Sequence, residues 1–372
     1  MIGLEQLIDT IFIEREIVNH SRTQSIKSKL KNSTIIEVDR YQEIFNKRSQ
    51  NFRIQKQNPA LILAEKHDNF VLPAPSGFGL ASTRNFYFSH MYNCIYDCRY
   101  CFLQGMYSSA NYVIFVNFED FFDEIEQSIE ANGAQDLTFF SGYDCDSLAF
   151  ENITGFAESI LPLFKSYPKV DLEFRTKSVQ LEPLKSGLPI ANCIVAFSLM
   201  PEELAKRLDK KAPSIKRRIN AIEKLAARGW QIGLRFDPLI YSKDWKQLYK
   251  GLLMEIMHRV PREAIHSISH GPLRYPKKMY QDITKLYLAA ASGVFSTDKK
   301  TPNSEKKESK FKYVKEVITG NTACLEFETE MNGIYVNGID LISWDDEDKI
   351  CLLYTSDAAD EGLGVDLGGR RI

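Results

Sequence analysis

Long apolar runs are absent. No stretch of eighteen or more apolar residues occurs in the 372-residue chain, which excludes a membrane-spanning helix of the usual kind. Charge of one sign is also lacking. Lys and Arg total 47 against 49 Asp and Glu, a net charge of -2, so no global attraction to nucleic acid operates and any basic surface must be local. Cysteine is scarce, at seven, an odd number unevenly placed, which does not make a disulfide framework. The start "MIGLEQLIDTIFIERE" is acidic and has no basic stretch leading into an apolar one, so a secretory leader is not expected and a cytoplasmic location is. In a reducing compartment clustered cysteines are more often metal ligands or catalytic groups. What is present is core material. Hydrophobic residues make up 44% and aromatics 12%, enough for one large barrel-type domain or two ordinary ones.

Residues 1–80 are polar and mixed, with short strands predicted at "TIFIE" and "STIIEV" and short helices or loops at "TQSIKSKLKN" and "VDRYQEIFNKRSQ". They read as an N-terminal α/β cap region, closed by a turn around Pro73, Pro75 and Gly77 to Gly79. From Asn85 the period switches regularly. Strands at "NFYFSHMY", "DLTFFS", "KVDLEFRT", "NCIVAFSL", "WQIGLRF" and "AIHSISH" are each followed by a helical segment, the last being "PKKMYQDITKLYLAAA". In the first long helix Phe118, Phe121, Phe122, Ile125 and Ile129 share a face, with Asn117 as N-cap and Gly133 as stop. A later stripe is Ile215, Ile219, Ile222 and Ala226, ended by Gly229. Such alternation implies a parallel sheet with helical crossovers. Six units fall short of a closed eight-unit barrel. The expected fold is therefore α/β, an open, partial (β/α)6 TIM-type barrel over 81–292, with its site at the carboxyl ends of the strands. A lysine-rich loop and a small β extension fill 293–350, with a turn near Asn332-Gly333 or Asn337-Gly338. Residues 351–372, "CLLYTSDAADEGLGVDLGGRRI", read as a translated sequencing-adapter tail and are set aside with Cys351. The natural chain would then continue beyond Ile350.

Against this sparing use of cysteine, "CIYDCRYCFLQG" puts Cys94, Cys98 and Cys101 within eight residues, just past the first barrel strand. Structural zinc sites close with four ligands, usually from two separated pairs. Here a second pair is missing, and His90, four residues before Cys94, is the nearest candidate for a fourth ligand. A [4Fe–4S] cluster gives another account, in which three thiolates hold three irons and the fourth iron stays open to a small molecule.

The C-x3-C-x2-C spacing, with Tyr100 and Phe102 around the last cysteine, resembles the radical S-adenosylmethionine superfamily. "CRYCFLQG" narrows the resemblance to the spore photoproduct lyase family. "IFIERE", "FRTKS", "FSL", "APSIKRRINAIEKLAARGWQIGLRFDPLIY" and "HGPLRYPKK" follow that family's order along the chain. The resemblance implies a [4Fe–4S] cluster on Cys94, Cys98 and Cys101 that binds S-adenosylmethionine and, on reduction, generates a 5′-deoxyadenosyl radical. It implies contacts to S-adenosylmethionine from Lys177 and Ser198, at the ends of strands three and four, and a ribose-binding role for Asp146 at the end of strand two. By residue type alone these three are a solvated lysine, a strand-end turn residue and a helix N-cap. The resemblance also implies a lyase repairing a thymine lesion in DNA, with an external flavodoxin- or ferredoxin-type electron donor.

Two positions depart from the family pattern. Members place a hydrogen-donating cysteine three residues before the aspartate, and here that position is Tyr143, with Cys145 nearby in "YDCDS". The loop's second tyrosine is replaced by Phe102, while Tyr100 remains. Candidate catalytic residues are therefore Cys145, Tyr143 and Tyr100. Cys193 reads as a buried apolar residue. A basic run, Lys206, Arg207, Lys210, Lys211, Lys216, Arg217 and Arg218, is broken only by Asp209, and Arg274, Lys277 and Lys278 form a second cluster. By composition these are solvated faces. By family position Arg218, Arg274 and Lys277 are candidate DNA contacts. Alternative readings are radical chemistry on another nucleic acid, nucleotide or peptide, and a non-catalytic iron–sulfur DNA-binding protein.

Overall fold

The computed structural model describes residues 8–47, 50–75, 79, 84–133, 137–242 and 244–273, and four strands between 312 and 357. Met1–Ala74 and Gly79–Arg274 form one compact unit, and Pro75–Phe78 with Tyr275–Ile372 a second.

In the first unit β1 (Thr10–Glu14), β2 (Thr34–Val38) and β3 (Leu61–Ala64) run parallel, with α1 (Ser21–Lys29) in the first crossover. Short helices α2 (Gln42–Phe45) and α3 (Phe52–Gln55) precede β3. The edge strand β4 (Val71–Pro73) leads to β5 (Arg84–Phe88), and β6 (Met91–Tyr92) and β7 (Asp97–Cys98) follow within the cysteine segment. After α4 (Leu103–Met106), β8 (Tyr112–Phe115) pairs parallel with β3 and antiparallel with β6. The cap region expected over 1–80 is thus joined to the barrel through a shared five-stranded sheet, ordered β2-β1-β3-β8-β6. β3 ("LILA") and β8 ("YVIF") are buried at all four positions, the unbroken apolar run of a strand covered on both faces.

The barrel sheet contains the six expected strands. β5, β9 (Leu137–Ser141), β10 (Val170–Thr176), β11 (Cys193–Ser198), β13 (Gln231–Leu239) and β14 (Ile265–Pro272) lie side by side in chain order, all parallel. β4 adds an antiparallel edge. The crossovers are α5 (Phe118–Ala131), α6 (Glu151–Thr154) with α7 (Phe156–Ser166), α8 (Glu182–Ser186), α9 (Glu202–Leu208) with α10 (Ile215–Ala226), and α11 (Trp245–Arg259). A two-residue strand, β12 (Asp209–Lys210), separates α9 from α10. The helix expected over 276–291 lies outside the described residues.

The helices form as their patterns dictate. Phe118, Phe121, Ile125 and Ile129 are buried on α5, and Ile215, Ile219, Ile222 and Ala226 on α10. Ser214 caps α10 by accepting from Arg217 N at 3.4 Å. Asn117 precedes α5 but makes no cap bond. Its side chain accepts from Lys66 N at 3.0 Å and donates to Lys66 O at 2.7 Å, tying the N-terminal sheet to the barrel. Inside the barrel Glu173 on β10 and Arg235 on β13 pair across the intervening β11, with bonds of 2.5 and 3.0 Å. The crossing needs small neighbours. A Cβ on Gly233 would lie 2.8 Å from both the Arg235 guanidinium and Ala196 Cβ.

The second unit contains an antiparallel meander, β15 (Lys312–Thr319), β16 (Thr322–Met331), β17 (Ile334–Trp344) and β18 (Ile350–Asp357). Met331 pairs with Ile334, and Gly338 sits inside β17 opposite Phe327, so the expected turn at Asn337-Gly338 is not made, while Asn332 and Gly333 lie outside the described residues. β15 falls in the segment read as a lysine-rich loop, and β18 runs into the residues set aside as a tail.

Candidate active site

Two turns at the carboxyl ends of β5 and β9 carry most of the candidate residues. The first holds the cysteines. Asn93 takes a left-handed conformation (φ 63°), which asparagine tolerates better than most residues. Its amide donates to Ser109 O and Asn111 O, both at 2.8 Å. Lys56 donates to the Cys94 carbonyl. Arg53 grips Asp97 with bonds of 2.8 and 3.1 Å, and Gln104 adds another at 3.0 Å. Cys101 N donates to Cys98 O at 3.1 Å, so one tight turn presents both thiols. On the other flank β7 pairs antiparallel with β12, and Arg99 N donates to Leu208 O at 2.8 Å. Arg53 and Lys56 come from the N-terminal region. They carry no motif of their own, and only folding brings them to the loop.

A buried charge network backs this loop. Tyr100 Oη donates to Asp209 Oδ1 at 2.6 Å, and Arg218 pairs with Asp209 Oδ2 at 2.7 Å. Arg218 also donates to Ser198 O at 2.9 Å and Pro213 O at 3.0 Å. The expectation that Arg218 contacts DNA is corrected here. Its side chain is 0% exposed, and its guanidinium holds Asp209 and the Ser198 strand end. Asp209, the one acid in the basic run, is where that run turns inward, and the interruption is its only sequence signal. Burial raises the Asp209 carboxyl, but Lys177, Arg218 and the Tyr100 hydroxyl outweigh it and hold it below its usual range. Lys177 lies with Nζ 5.4 Å from the Tyr100 ring centroid. Burial disfavours its ammonium, yet Cys98 and Asp209 more than offset this and raise its pKa. Arg274 and Lys277 lie outside the described residues.

The second turn begins at Gly142. Its φ is +80°, and a Cβ there would meet Ser147 Oγ at 2.5 Å and Ser147 N at 2.9 Å, so only glycine fits. Asp146 accepts from Thr176 Oγ1 at 2.6 Å, Lys177 N at 2.6 Å and Leu148 N at 3.1 Å. Its carboxylate is turned onto the chain's own groups, where it fixes the backbone that presents Lys177. It is not a helix N-cap, since α6 starts at Glu151. Cys145 is buried, its thiol held by the Met91 backbone and its pKa raised chiefly by burial. Tyr143 is 41% exposed. Its ring packs 4.5 Å from Tyr87 and 5.5 Å from Phe102. Tyr143 and Asp144 line a cavity of about 200 Å3 with Lys66, Tyr87, Tyr92 and Tyr107.

Burial pushes the thiols of Cys94, Cys98 and Cys101 up, Cys94 to about 12, while Lys56 and Lys177 oppose the rise. Cys98 is buried and Cys94 and Cys101 are half-buried, and three thiols with raised pKa values at one loop need a cationic body to be held as thiolates. Among the described residues no three His, Cys, Asp or Glu side chains are gathered as for a single metal ion. His90 does not complete a zinc site. It stacks on Phe156 with centroids 3.9 Å apart and planes 6° from parallel, and burial lowers its pKa to about 3. The donor set therefore fits an iron–sulfur cluster with one open iron better than tetrahedral zinc.

An open parallel barrel with a three-cysteine loop at the end of its first strand is the architecture of the radical S-adenosylmethionine class. The family model described as "Spore photoproduct lyase" matches residues 75–330, and the chain belongs to that family. The spore photoproduct lyase of Bacillus subtilis (strain 168) is 22% identical over 197 residues, covering 52% of this chain and 58% of that protein. The match thus spans little more than half of the relative's length. Among solved structures, a cysteine-to-serine mutant of spore photoproduct lyase superposes with TM-score 0.67 at 17% identity, covering 91% of each chain. A double mutant with bound AdoMet and dinucleoside spore photoproduct gives TM-score 0.65 at 16% identity, covering 76% of this chain and 83% of that one. At these identities the likeness shows the fold. Among the described residues no helix is long and apolar enough to cross a membrane.

Proposed function

We propose that this chain is a cytoplasmic radical S-adenosylmethionine lyase that repairs a thymine lesion of the spore-photoproduct kind in DNA. The observation that carries the reading is the cysteine loop, anchored on both flanks and backed by the buried Asp209–Arg218 pair with Lys177 beside it. Cys94, Cys98 and Cys101 would hold a [4Fe–4S] cluster. When bound with S-adenosylmethionine and reduced by a flavodoxin- or ferredoxin-type donor, it supplies a 5′-deoxyadenosyl radical that takes a hydrogen atom from the substrate. The chain's own residues do the rest. Lys177, a point charge, pairs with the methionine carboxylate, and Asp146 fixes its backbone. Arg218 sets the Ser198 strand end. Tyr143 returns a hydrogen atom to the substrate radical from its phenol, and an electron from the external donor with a proton restores the phenol from the resulting phenoxyl radical; the reading is supported by Tyr143 lining the cavity while the Cys145 thiol faces the Met91 backbone. Tyr100 is bound to Asp209 and acts as a positioning residue for the cluster loop.

Anaerobic reconstitution, reduction and addition of S-adenosylmethionine should yield 5′-deoxyadenosine. A fully loaded cluster that gives none would sink the reading. With a spore-photoproduct dinucleotide, Tyr143→Phe should raise the share of side products severalfold, and Cys145→Ala should leave it unchanged. The opposite pattern moves the donor to Cys145. A second reading keeps the radical chemistry but gives it another nucleic acid, nucleotide or peptide as substrate. It is favoured by one observation, a tyrosine where the family places its donor cysteine, and 5′-deoxyadenosine without lesion repair would select it.

A further inference from the structure

Lys56 is a buried charge that the mechanism above leaves without a task. It comes from the N-terminal region, just after α3, and is 4% exposed. Its ammonium carries three donors, and its hydrogen-bond acceptor among the described residues is the Cys94 carbonyl. The Tyr112 ring lies 5.3 Å from Nζ. The two ion pairs around the cysteine loop, Arg53–Asp97 and Arg218–Asp209, leave it out. Asp97, the acid that acts on it, is gripped by Arg53 and Gln104 instead. Lys211 donates to the Lys56 carbonyl at 3.2 Å and so adds a positive charge, not a negative one. A buried ammonium without an anion is costly, and a fold that keeps one points to an anion absent from the polypeptide.

The cysteine loop is where that anion belongs. Lys56 is bonded to the backbone of the first cysteine, and it opposes the effect of burial on the thiols of Cys94 and Cys101. Lys177 does the same for Cys98 and Cys101, but it has the methionine carboxylate as its partner under the proposed function, and Lys56 has no such ligand. A [4Fe–4S] cluster on three thiolates is an anion. The one electron it takes from the flavodoxin- or ferredoxin-type donor makes it more negative by one charge, with no proton moved. Net charge is among the factors that set the potential of such a cluster, and a fixed positive charge beside it stabilises the reduced form more than the oxidised one. We propose that Lys56 is a built-in counter-charge of the cluster that raises its reduction potential and so lets the external donor reduce it. The inference rests on the cluster reading of the three cysteines, and it adds a residue that tunes the cluster without ligating it.

The test is an anaerobic electrochemical titration of the full chain with its cluster reconstituted, followed by the EPR signal of the reduced cluster. Iron and sulfide are measured on the same samples. A unit charge about 10 Å away, through an effective dielectric of about 20, changes an equilibrium about tenfold. Lys56→Met and Lys56→Gln should therefore lower the ratio of reduced to oxidised cluster at a fixed potential about tenfold, a downward shift of about 59 mV for one electron. Lys56→Gln keeps a donor for the Cys94 carbonyl, so a shift there reports the charge and not the hydrogen bond. Lys56→Arg keeps the charge and should keep the potential. An unchanged potential in either neutral variant, with its cluster loaded, overturns the proposal. Neutral variants that take up no iron while Lys56→Arg does would support it, since charge is what they lack. Failure of all three to load overturns it, because the site then needs the shape of lysine. An unaltered protein that takes up no cluster sinks the cluster reading and this inference with it, whereas an unchanged potential on a loaded cluster sinks the inference alone.

Discussion

At residue scale His90 shows how a plausible ligand becomes part of the core. It lies between Phe156, stacked at 3.9 Å, and Phe118, edge-on at 6.3 Å, and its Nδ1 has no partner among the described residues. Burial holds the imidazole neutral, with its pKa lowered to about 3. The unfolded chain takes up this proton near pH 6.5, well before the folded one does. The stability contribution is therefore complete above about pH 6.5 and declines as pH falls toward 3, by about 1.4 kcal/mol per pH unit. His90→Phe should remove that dependence. Between pH 7 and pH 5 the unaltered protein should lose about 2 kcal/mol more than the variant in urea denaturation. Equal losses would mean that His90 is protonated in the fold. The three cysteines were legible because the loop states their chemistry in eight consecutive residues. Asp144, Lys66, Lys56 and Asp209 were not, because each acts through a partner far along the chain. Lys56, for example, reaches the Cys94 carbonyl 38 positions away.

At the scale of elements, long periodic segments declared themselves and short buried ones did not. The six barrel strands appear in the expected order because each carries a β run bounded by turns and followed by a helical stripe. β3 and β8, four residues each and wholly buried, have no alternation to read, so the sheet that fuses the N-terminal region to the barrel went unseen. The Glu173–Arg235 pair was equally hidden, since it joins β10 to β13 across β11. Burial raises the Glu173 carboxyl, but Arg235 and Arg175 outweigh it and bring the pKa below the usual range. Its stabilising contribution is therefore present above about pH 4.3 and is lost only as pH falls further, through the lowered folded value. At pH 7 Glu173→Gln leaves Arg235 charged and buried without its partner, at a cost of about 3–5 kcal/mol. Replacing both residues with apolar ones of similar volume should cost far less. Gly233→Ala should be destabilising for a steric reason, since its methyl would sit 2.8 Å from the guanidinium and from Ala196 Cβ. Chemical denaturation of Glu173→Leu, Arg235→Met and the double variant carrying both tests this. A double variant as unstable as the sum of the singles would show that the pair is not coupled.

For the whole molecule a net charge of -2 gives no general attraction to DNA, so any affinity under the proposed function must come from where the positive charge is concentrated. With Arg218 turned inward, the exposed members of the basic run are Lys206, Arg207, Lys210, Lys211, Lys216 and Arg217. Lys210 and Lys211 donate to the carbonyls of Lys206 and Lys56. Because β12 pairs with β7, this surface begins beside the cysteine loop, so a duplex bound there would bring its bases toward the barrel mouth. Enzymes that act on a base extrude it into such a site, and under the proposed repair activity backbone contacts would hold the duplex meanwhile. Each phosphate contact contributes about 0.9 to the slope of log K against log salt. The combined variant Lys206→Gln, Lys210→Gln and Lys216→Gln should therefore weaken binding to undamaged duplex at low salt and flatten that slope by about 0.9 for every contact removed. If both affinity and slope are unaltered, the duplex lies on another face, and the basic run is an ordinary solvated surface.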